Sequence, residues 1–295
     1  MAAVSTPQTN STPEPAAPYG QFWRGSSVPG VEVMAAVNEG VTCRLLQETY
    51  TFCVVPRSVN RDGDLTTWQY RGKTHVYRPG MVGMEEPGEV HANVAVHAPT
   101  HFWLLMLDPV TCTAAREELG RHRGHFRAAQ SQDPDFYRRF TAFYAAIRAG
   151  ADALEVQTRF AACLRAAFEE GVEGEGALPR AKCAIGHAGL RQAIDYLHAH
   201  FAEPVQLADL ARLAGVSRFH FARLFTASCG LPPHAYQTQL RLADARRQLR
   251  AGVPAVDVES GFFDVSHLTR HLKRSWCLTP GRYLAPSASG LPDWQ

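Results

Sequence analysis

The stretch LADLARLAGVSRFHFARLFTASCGLPPHAY, residues 207–236, decides how this chain is read. Leu207, Leu210, Ala211 and Ala214 recur at i, i+3, i+4 and i+7, the spacing of a helix with one buried stripe. Gly215 ends that helix, because a glycine adopts the left-handed conformation of a sharp turn without a Cβ clash. Val216 supplies an apolar plug, and Ser217 offers a side-chain oxygen to cap the next helix. There Phe221, Leu224 and Phe225 share one face, while Arg218, Phe219, Ala222, Arg223 and Thr226 share the other. Two short helices joined by a tight glycine turn, the second with a basic outer face, predict a helix-turn-helix that can enter the major groove of double-stranded DNA.

The pattern returns 47 residues later. His220, Phe221, Arg223, Phe225, Gly230, Leu231, Pro233 and Tyr236 correspond in fixed register to His267, Leu268, Arg270, Leu272, Cys277, Leu278, Pro280 and Tyr283. Upstream, Leu190, Ile194, Leu197 and Phe201 mark a supporting helix that stops before Pro204. A helix from about His234 to Arg250, carrying Tyr236, Leu240, Ala243 and Leu249, joins the two units. Its Arg241, Arg246, Arg247 and Arg250 are candidates for phosphate contact, or else solvated surface arginines. Charge follows the same division. Residues 181–286 hold thirteen Lys and Arg against seven Asp and Glu, a net of +6, which leaves −4 for the rest of a chain of net +2. A basic module on an acidic body is the electrostatic footprint of nucleic-acid binding.

Residues 207–236 followed by GFFDVSHLTRHLKRSWCLTPGRY (261–283) resemble the AraC/XylS family of bacterial transcription regulators. In that family a long helix bridges two helix-turn-helix units, and the second carries a GF…R.FK…G.TP..Y signature. The resemblance spans about residues 187–284. It implies that Arg218, Phe219, Ala222, Arg223 and Thr226 of the first unit, and Val265, Ser266, Thr269, Arg270 and Lys273 of the second, face bases or phosphates. Arginine is best placed to specify, since its fork can bond guanine O6 and N7 together; pairing of Arg223 and Arg270 with a neighbouring carboxylate is the alternative. His220 and His267 are expected to be packed, hydrogen-bonded histidines without a catalytic role. A regulator of this kind has double-stranded DNA and RNA polymerase as partners. One departure concerns the second unit, which reads as two residues short. Val256 and Asp257 stand where Leu210 and Ala211 stand in the first, so a carboxylate falls at a position expected to be buried, at a cost of several kcal/mol. A helix that starts elsewhere and exposes Asp257 is the alternative.

From about Val31 to Asp108 the chain breaks into short apolar segments: VEVMAAV, TYTFCVV, LTTWQY, THVY, MVGM, NVAV and HFWLLML. Asp62-Gly63, Arg71-Gly72, Pro79-Gly80 and Pro87-Gly88 supply turns between them, which suggests a small β-barrel or sandwich. Residues 70–92, YRGKTHVYRPGMVGMEEPGEVHA, resemble the cupin-type sensing domain often fused to AraC-family DNA-binding domains, with PGEVH (87–91) as the matching core. Metal-binding cupins carry an HxH pair, whereas His75, His91, His97 and His101 are dispersed, so no metal or other cofactor is expected. An aromatic-lined interior suits an organic effector, with Trp68, Tyr70, Tyr77, His91, Phe102 and Trp103 as candidate contacts; strand alternation lets only some of them point inward. Two helices follow, marked by Tyr137, Phe140, Phe143, Tyr144 and Ile147 and by Leu154, Phe160, Cys163, Leu164 and Phe168. In the resembling family such helices often form a homodimer, although packing on the barrel explains the stripes equally well.

The expected fold class is α+β: a disordered tail (1–21), a cupin-like barrel with two helices (22–170), a linker (171–180), an all-α double helix-turn-helix domain (181–286) and a short tail (287–295). Hydrophobic residues at 45% and charged residues at 20% fit a globular protein, no apolar run is long enough to span a membrane, and the start of the chain lacks a secretory signal. Seven cysteines with no CxxC pair fit a reducing cytoplasm. The function these readings predict is a ligand-responsive transcription regulator without enzymatic activity; the competing class is a cupin-type metalloenzyme with a basic helical appendage.

Overall fold

A computed structural model describes residues 20–119, 125–126, 128–169, 172–173, 188–276, 278–285 and 291–292. In the N-terminal part, strands β1 (Gln21–Trp23), β2 (Val31–Asn38), β3 (Cys43–Leu46), β4 (Tyr50–Val54), β5 (Thr66–Tyr70), β6 (Lys73–Tyr77), β7 (Val82–Glu85), β8 (Val90–Val96) and β9 (Thr100–Leu107) precede helix α1 (Pro109–Glu118). Short strands β10 (His125–Phe126) and β11 (Gln130–Ser131), helices α2 (Pro134–Arg148) and α3 (Ala153–Glu169), and strand β12 (Val172–Glu173) complete it. All pairings are antiparallel, in a six-stranded sheet β1-β2-β9-β4-β7-β11, a four-stranded sheet β3-β8-β5-β6 and a β10-β12 pair.

Both faces of the six-stranded sheet are covered. Successive side chains alternate across a strand, so Val33 and Ala35 of β2 and Trp103 and Leu105 of β9 turn to one side, where they share a core with Phe140, Phe143 and Tyr144 of α2 and Cys163, Leu164 and Phe168 of α3. The apolar stripes of the two helices are thereby consumed in packing on the sheet. Asp133 caps α2 by accepting from the N–H groups of Asp135 and Phe136, and Pro134 occupies the first turn, where no N–H is missed. The opposite face of the sheet meets the four-stranded sheet, with Cys53, Val55, Trp68, Tyr70 and Tyr77 in the core between them.

The C-terminal part contains α4 (Ala188–Ala199), α5 (Leu207–Leu213), α6 (Arg218–Cys229), α7 (Pro233–Arg250), a 3-10 turn (Ala255–Asp257), α8 (Val265–Trp276) and α9 (Pro280–Leu284). Gly215 has φ +67° and Ser217 accepts from the N–H of His220, so the first turn and cap form as their residues dictate. Leu190, Leu210, Phe221, Phe225 and Tyr236 make the core of this first unit.

The second unit differs. The helix equivalent to α5 shrinks to the single 3-10 turn, in which Asp257 is exposed and Val256 is 76% exposed, while Ala255 and Val258 turn inward. This corrects the expectation of a buried carboxylate: the segment re-registers, because hydrating the charge is cheaper than burying it unpaired. The apolar surface that a full helix would have covered on Leu268 and Leu272 of α8 is covered in part by the N-terminal sheet, through Phe22, Met34, Ala36 and Met106.

Three expected boundaries also shift. Residues 1–19 of the expected tail lie outside the described residues, but Gln21 already pairs with Ala35. Within the expected linker, Val172 and Glu173 pair with Phe126 and His125, and its other residues lie outside the described set, as do residues 181–187. Of the final tail, Leu291 is buried in the α2–α3 core and the carbonyl of Pro292 accepts from the Tyr144 hydroxyl at 2.9 Å; residues 287–290 and 293–295 lie outside the described residues.

Candidate DNA-reading faces and effector cavity

Helix α6 presents Arg218, Phe219 and Arg223 to solvent, with Ala222 and Thr226 half-buried beside them. Phe219 is 86% exposed, although its size favours burial. Arg223 approaches the ring of His220 at 3.4 Å, not a carboxylate. His220 is itself exposed, contrary to the packed role expected of it. On α8, Ser266, Arg270 and Lys273 are exposed, and Val265 and Thr269 half-buried. His267 is half-buried and hydrogen-bonds His271 between Nε2 atoms at 3.0 Å. Phe263, in the turn before α8, is an exposed aromatic that the sequence reading passed over; two adjacent phenylalanines in so short a turn, of which only Phe262 packs, were the available signal.

The arginines of the bridging helix α7 have other duties. Arg241 donates to the carbonyls of Phe201 and Glu203 at 2.7 and 2.9 Å, and Arg247 pairs with Asp244. Arg250 reaches Glu32 of β2 at 3.3 Å. Arg246 is 2% exposed and stands 3.5 Å from both Glu32 and Glu48. A buried guanidinium between two carboxylates is unavailable for a phosphate, so Arg246 leaves the set of DNA contacts. Its charge is held in place by this pairing: burial works against it, and Glu48, Tyr283 and Glu32 together outweigh burial. Burial likewise pushes the Glu32 carboxyl up, but Arg246, Arg250 and Arg24 overcome it and hold the group below the ordinary range. For Glu48 burial wins, and its pKa is raised. Tyr283 of α9 donates to Glu32 at 3.3 Å and its carbonyl accepts from Arg24 at 3.0 Å, so the cluster ties β1 and β2 to α7 and α9.

Between the two sheets lies a cavity of about 130 Å³. Met34, Ala36, Val41, Leu45, Phe102 and Leu104 give it apolar walls. One wall is polar: Glu85 accepts from Gln47 and Tyr77, and its Oε1 lies 2.8 Å from Nδ1 of His91, whose Nε2 bonds Asn93 at 3.0 Å. Burial disfavours the charged imidazole, but Glu85 more than compensates, so the His91 pKa is raised. Of the expected effector contacts, Tyr77, His91 and Phe102 line this space. Trp68 does not; it stacks behind Tyr77 at 4.8 Å and His91 at 5.2 Å. Tyr70 accepts from the Glu86 N–H within the core, and Trp103 stacks on Tyr144 at 4.7 Å on the opposite face of the sheet. Among the described residues, no three His, Cys, Asp or Glu side chains group to hold a metal ion, and His75, His97 and His101 lie away from the cavity.

The last turn of α8 completes the wall. Ser275 and Trp276 line the cavity, and the Trp276 ring covers the guanidinium of Arg246, 4.0 Å from its centroid. One indole thus touches both the cavity and the buried charge cluster between the domains.

Residues 210–285 match the family described as Helix-turn-helix domain. The chain is 37% identical over 81 residues to the Bacillus subtilis HTH-type transcriptional regulator YbfI, covering 27% of this chain and 30% of that protein. It is 35% identical over 94 residues to a Streptomyces antibioticus protein described as an AraC-like transcription regulator, 31% of each. The chain therefore spans about a third of the length of these relatives. Vibrio cholerae ToxT, solved with an unsaturated fatty acid bound, superposes over 87% of this chain and 95% of its own with a TM-score of 0.50 at 9% identity, which is a likeness of fold. No helix among the described residues is long and apolar enough to cross a membrane.

Proposed function

We infer that this chain, whose residues 210–285 form an AraC-type helix-turn-helix domain, is a cytoplasmic, sequence-specific transcription regulator whose hold on DNA is set by a small molecule in the cavity between its sheets. Trp276 carries the reading: it ends the second recognition helix, walls the cavity and covers Arg246. A molecule entering the cavity must meet Trp276, and any displacement of that ring is felt by the Glu32–Arg246–Glu48 cluster that docks α7 and α8 on the N-terminal sheet. The two recognition helices grip adjacent segments of duplex only if their relative placement suits the groove, and this docking controls the placement of α8.

ToxT was solved with a fatty acid, but the cavity here is lined by Glu85 and His91 and, among the described residues, by no lysine or arginine. That lining suits a neutral molecule with an apolar body and one hydrogen-bonding group better than a carboxylate. RNA polymerase and a second copy of the chain are the protein partners this function calls for. The test begins with selection of duplexes from a random pool by the full chain. Affinity for the selected site is then measured with and without each member of a metabolite library that raises the melting temperature. A ligand that changes DNA affinity in the parent but not in Trp276→Ala supports the reading; failure to enrich any duplex sinks it. Stoichiometric metal in the purified protein would favour the metalloenzyme instead.

A further inference from the structure

A second recess lies where the domains meet, and its chemistry differs from that of the cavity. It is a cleft of about 540 Å³ between strands β3 and β8 on one side and helices α7 and α8 on the other. Arg44 enters from the N-terminal sheet, His234 from the start of α7, and His271 and Arg274 from α8. Among the described residues no aspartate or glutamate lines it; the remaining polar groups include the amides of Asn93 and Gln239. Arg44 is held at the rim by donating to the carbonyl of Gly230 at 2.6 Å. Among the described residues Arg274 has no carboxylate partner, whereas Arg247 on the neighbouring α7 and Arg212 on α5 each have one three residues away. Around His271 the charged neighbours are Arg274, Arg270 and Arg241, with His267 beside them; burial and these like charges lower its pKa. Two arginines, one from each domain, with no acid among the described lining residues to neutralise them, form a region of uncompensated positive potential in a concave site, and the rings of His234 and His271 add hydrogen-bonding nitrogens. This is the setting in which a phosphate oxyanion is recognised, because guanidinium forks match its oxygens and a recess strengthens the attraction.

We propose that this interdomain cleft binds a small phosphorylated molecule, with Arg44 and Arg274 as its two principal ligands. The proposal goes beyond the effector cavity and does not rest on it, although the cleft adjoins that cavity across Cys43, Leu45, Asn93 and Ser275, which line both. Its volume falls in the range that holds metabolite-sized ligands, and a bare phosphate would leave most of it to water. Because the two arginines belong to different domains, an oxyanion between them bridges the N-terminal sheet to the second recognition helix and favours the docked arrangement.

Calorimetric titration of the full chain with pyrophosphate and with ribose 5-phosphate, at matched ionic strength, tests this. The expected result is saturable one-to-one binding of both and none of ribose. Arg44→Gln and Arg274→Gln should each weaken binding at least tenfold, and Arg274→Lys should restore part of it while leaving the melting temperature unchanged. Absence of binding, or equal binding by the double glutamine variant, overturns the proposal. Displacement of pyrophosphate by a selected duplex, with a matching loss of DNA affinity in Arg274→Gln, also overturns it and makes the cleft part of the path of the DNA backbone.

Discussion

Glu32→Gln should undock the second recognition unit without unfolding the first. In the parent, Glu32 faces Arg246, Arg250 and Arg24 and accepts from Tyr283, all within 3.5 Å, and both Glu32 and Arg246 are buried. Glutamine keeps the shape and one acceptor, but it removes the charge and points an N–H₂ at guanidinium groups. Removing one partner of a buried ion pair costs about 3–5 kcal/mol, because the other is left uncompensated. Glu48 still faces Arg246, so the low end applies: about 3 kcal/mol, roughly 150-fold in the docking equilibrium. Hydrogen exchange of the full chain reads this locally. Amides of α8 around Leu268–Leu272, whose core includes Met34 and Met106 of the N-terminal sheet, should lose protection by that factor. Amides of α6 around Phe221–Phe225, packed on α4, α5 and α7, should change little. A double-mutant cycle with Arg246→Met should recover a coupling of about 2–3 kcal/mol. Unchanged α8 protection, or a coupling below about 0.5 kcal/mol, would show that the cluster is incidental to docking.

Arg223→Ala should cost roughly 1–3 kcal/mol on a selected site and relax preference at one base pair; equal loss on all sequences would reassign it to phosphate contact. The raised His91 pKa fixes a pH dependence: the charged form is favoured by folding, so its stabilisation is complete below the ordinary value of 6.5 and fades as pH rises through the higher folded value. Melting of the parent should decline over that window and that of His91→Gln should not; parallel curves would refute the assignment. Asp257→Ala should change stability by less than about 0.5 kcal/mol, since the side chain is exposed. Inserting Ala-Ala after Val258 should destabilise, because Val258 already packs and the Glu259 backbone N–H and carbonyl both bond the Gln248 side-chain amide at 3.0 Å; a gain in urea stability would show that the shortening is left uncompensated.

The first helix-turn-helix was legible because its determinants are local. The stripe of Leu210, Phe221 and Phe225, the Gly215 turn and the Ser217 cap all act within a few residues of each other. The wall of the candidate cavity was legible only by half. Alternation separates Phe102 from Trp103, but both faces of β9 are buried, one on α2 and one on the cavity, so an apolar strand does not reveal which face meets which. The chief partner of His91 was missed for another reason: Glu85 reaches it from β7, itself bonded by Gln47 from the loop after β3, and only the fold brings the three together. Arg246 was misplaced because the pattern of α7 makes it look like its neighbours. Its decisive contact is Glu32, far away in sequence, and the one hint was a carboxylate inside the apolar run VEVMAAV.

That same run explains why the two domains belong to one mechanical unit. On β2, Glu32, Met34 and Ala36 share the face turned toward the C-terminal part: Glu32 grips Arg246, while Met34 and Ala36 join the core of α8 and also line the cavity. The second unit has given up most of its first helix, so its recognition helix leans on this strand for apolar cover that the first unit obtains from α5. The shortening is therefore compensated across the domain boundary. A self-sufficient second unit would be indifferent to the state of the cavity. One that borrows its core from the cavity's own wall shares Met34, Ala36 and Trp276 with it, and under the function proposed above these shared residues are what would couple occupancy of the cavity to the placement of α8.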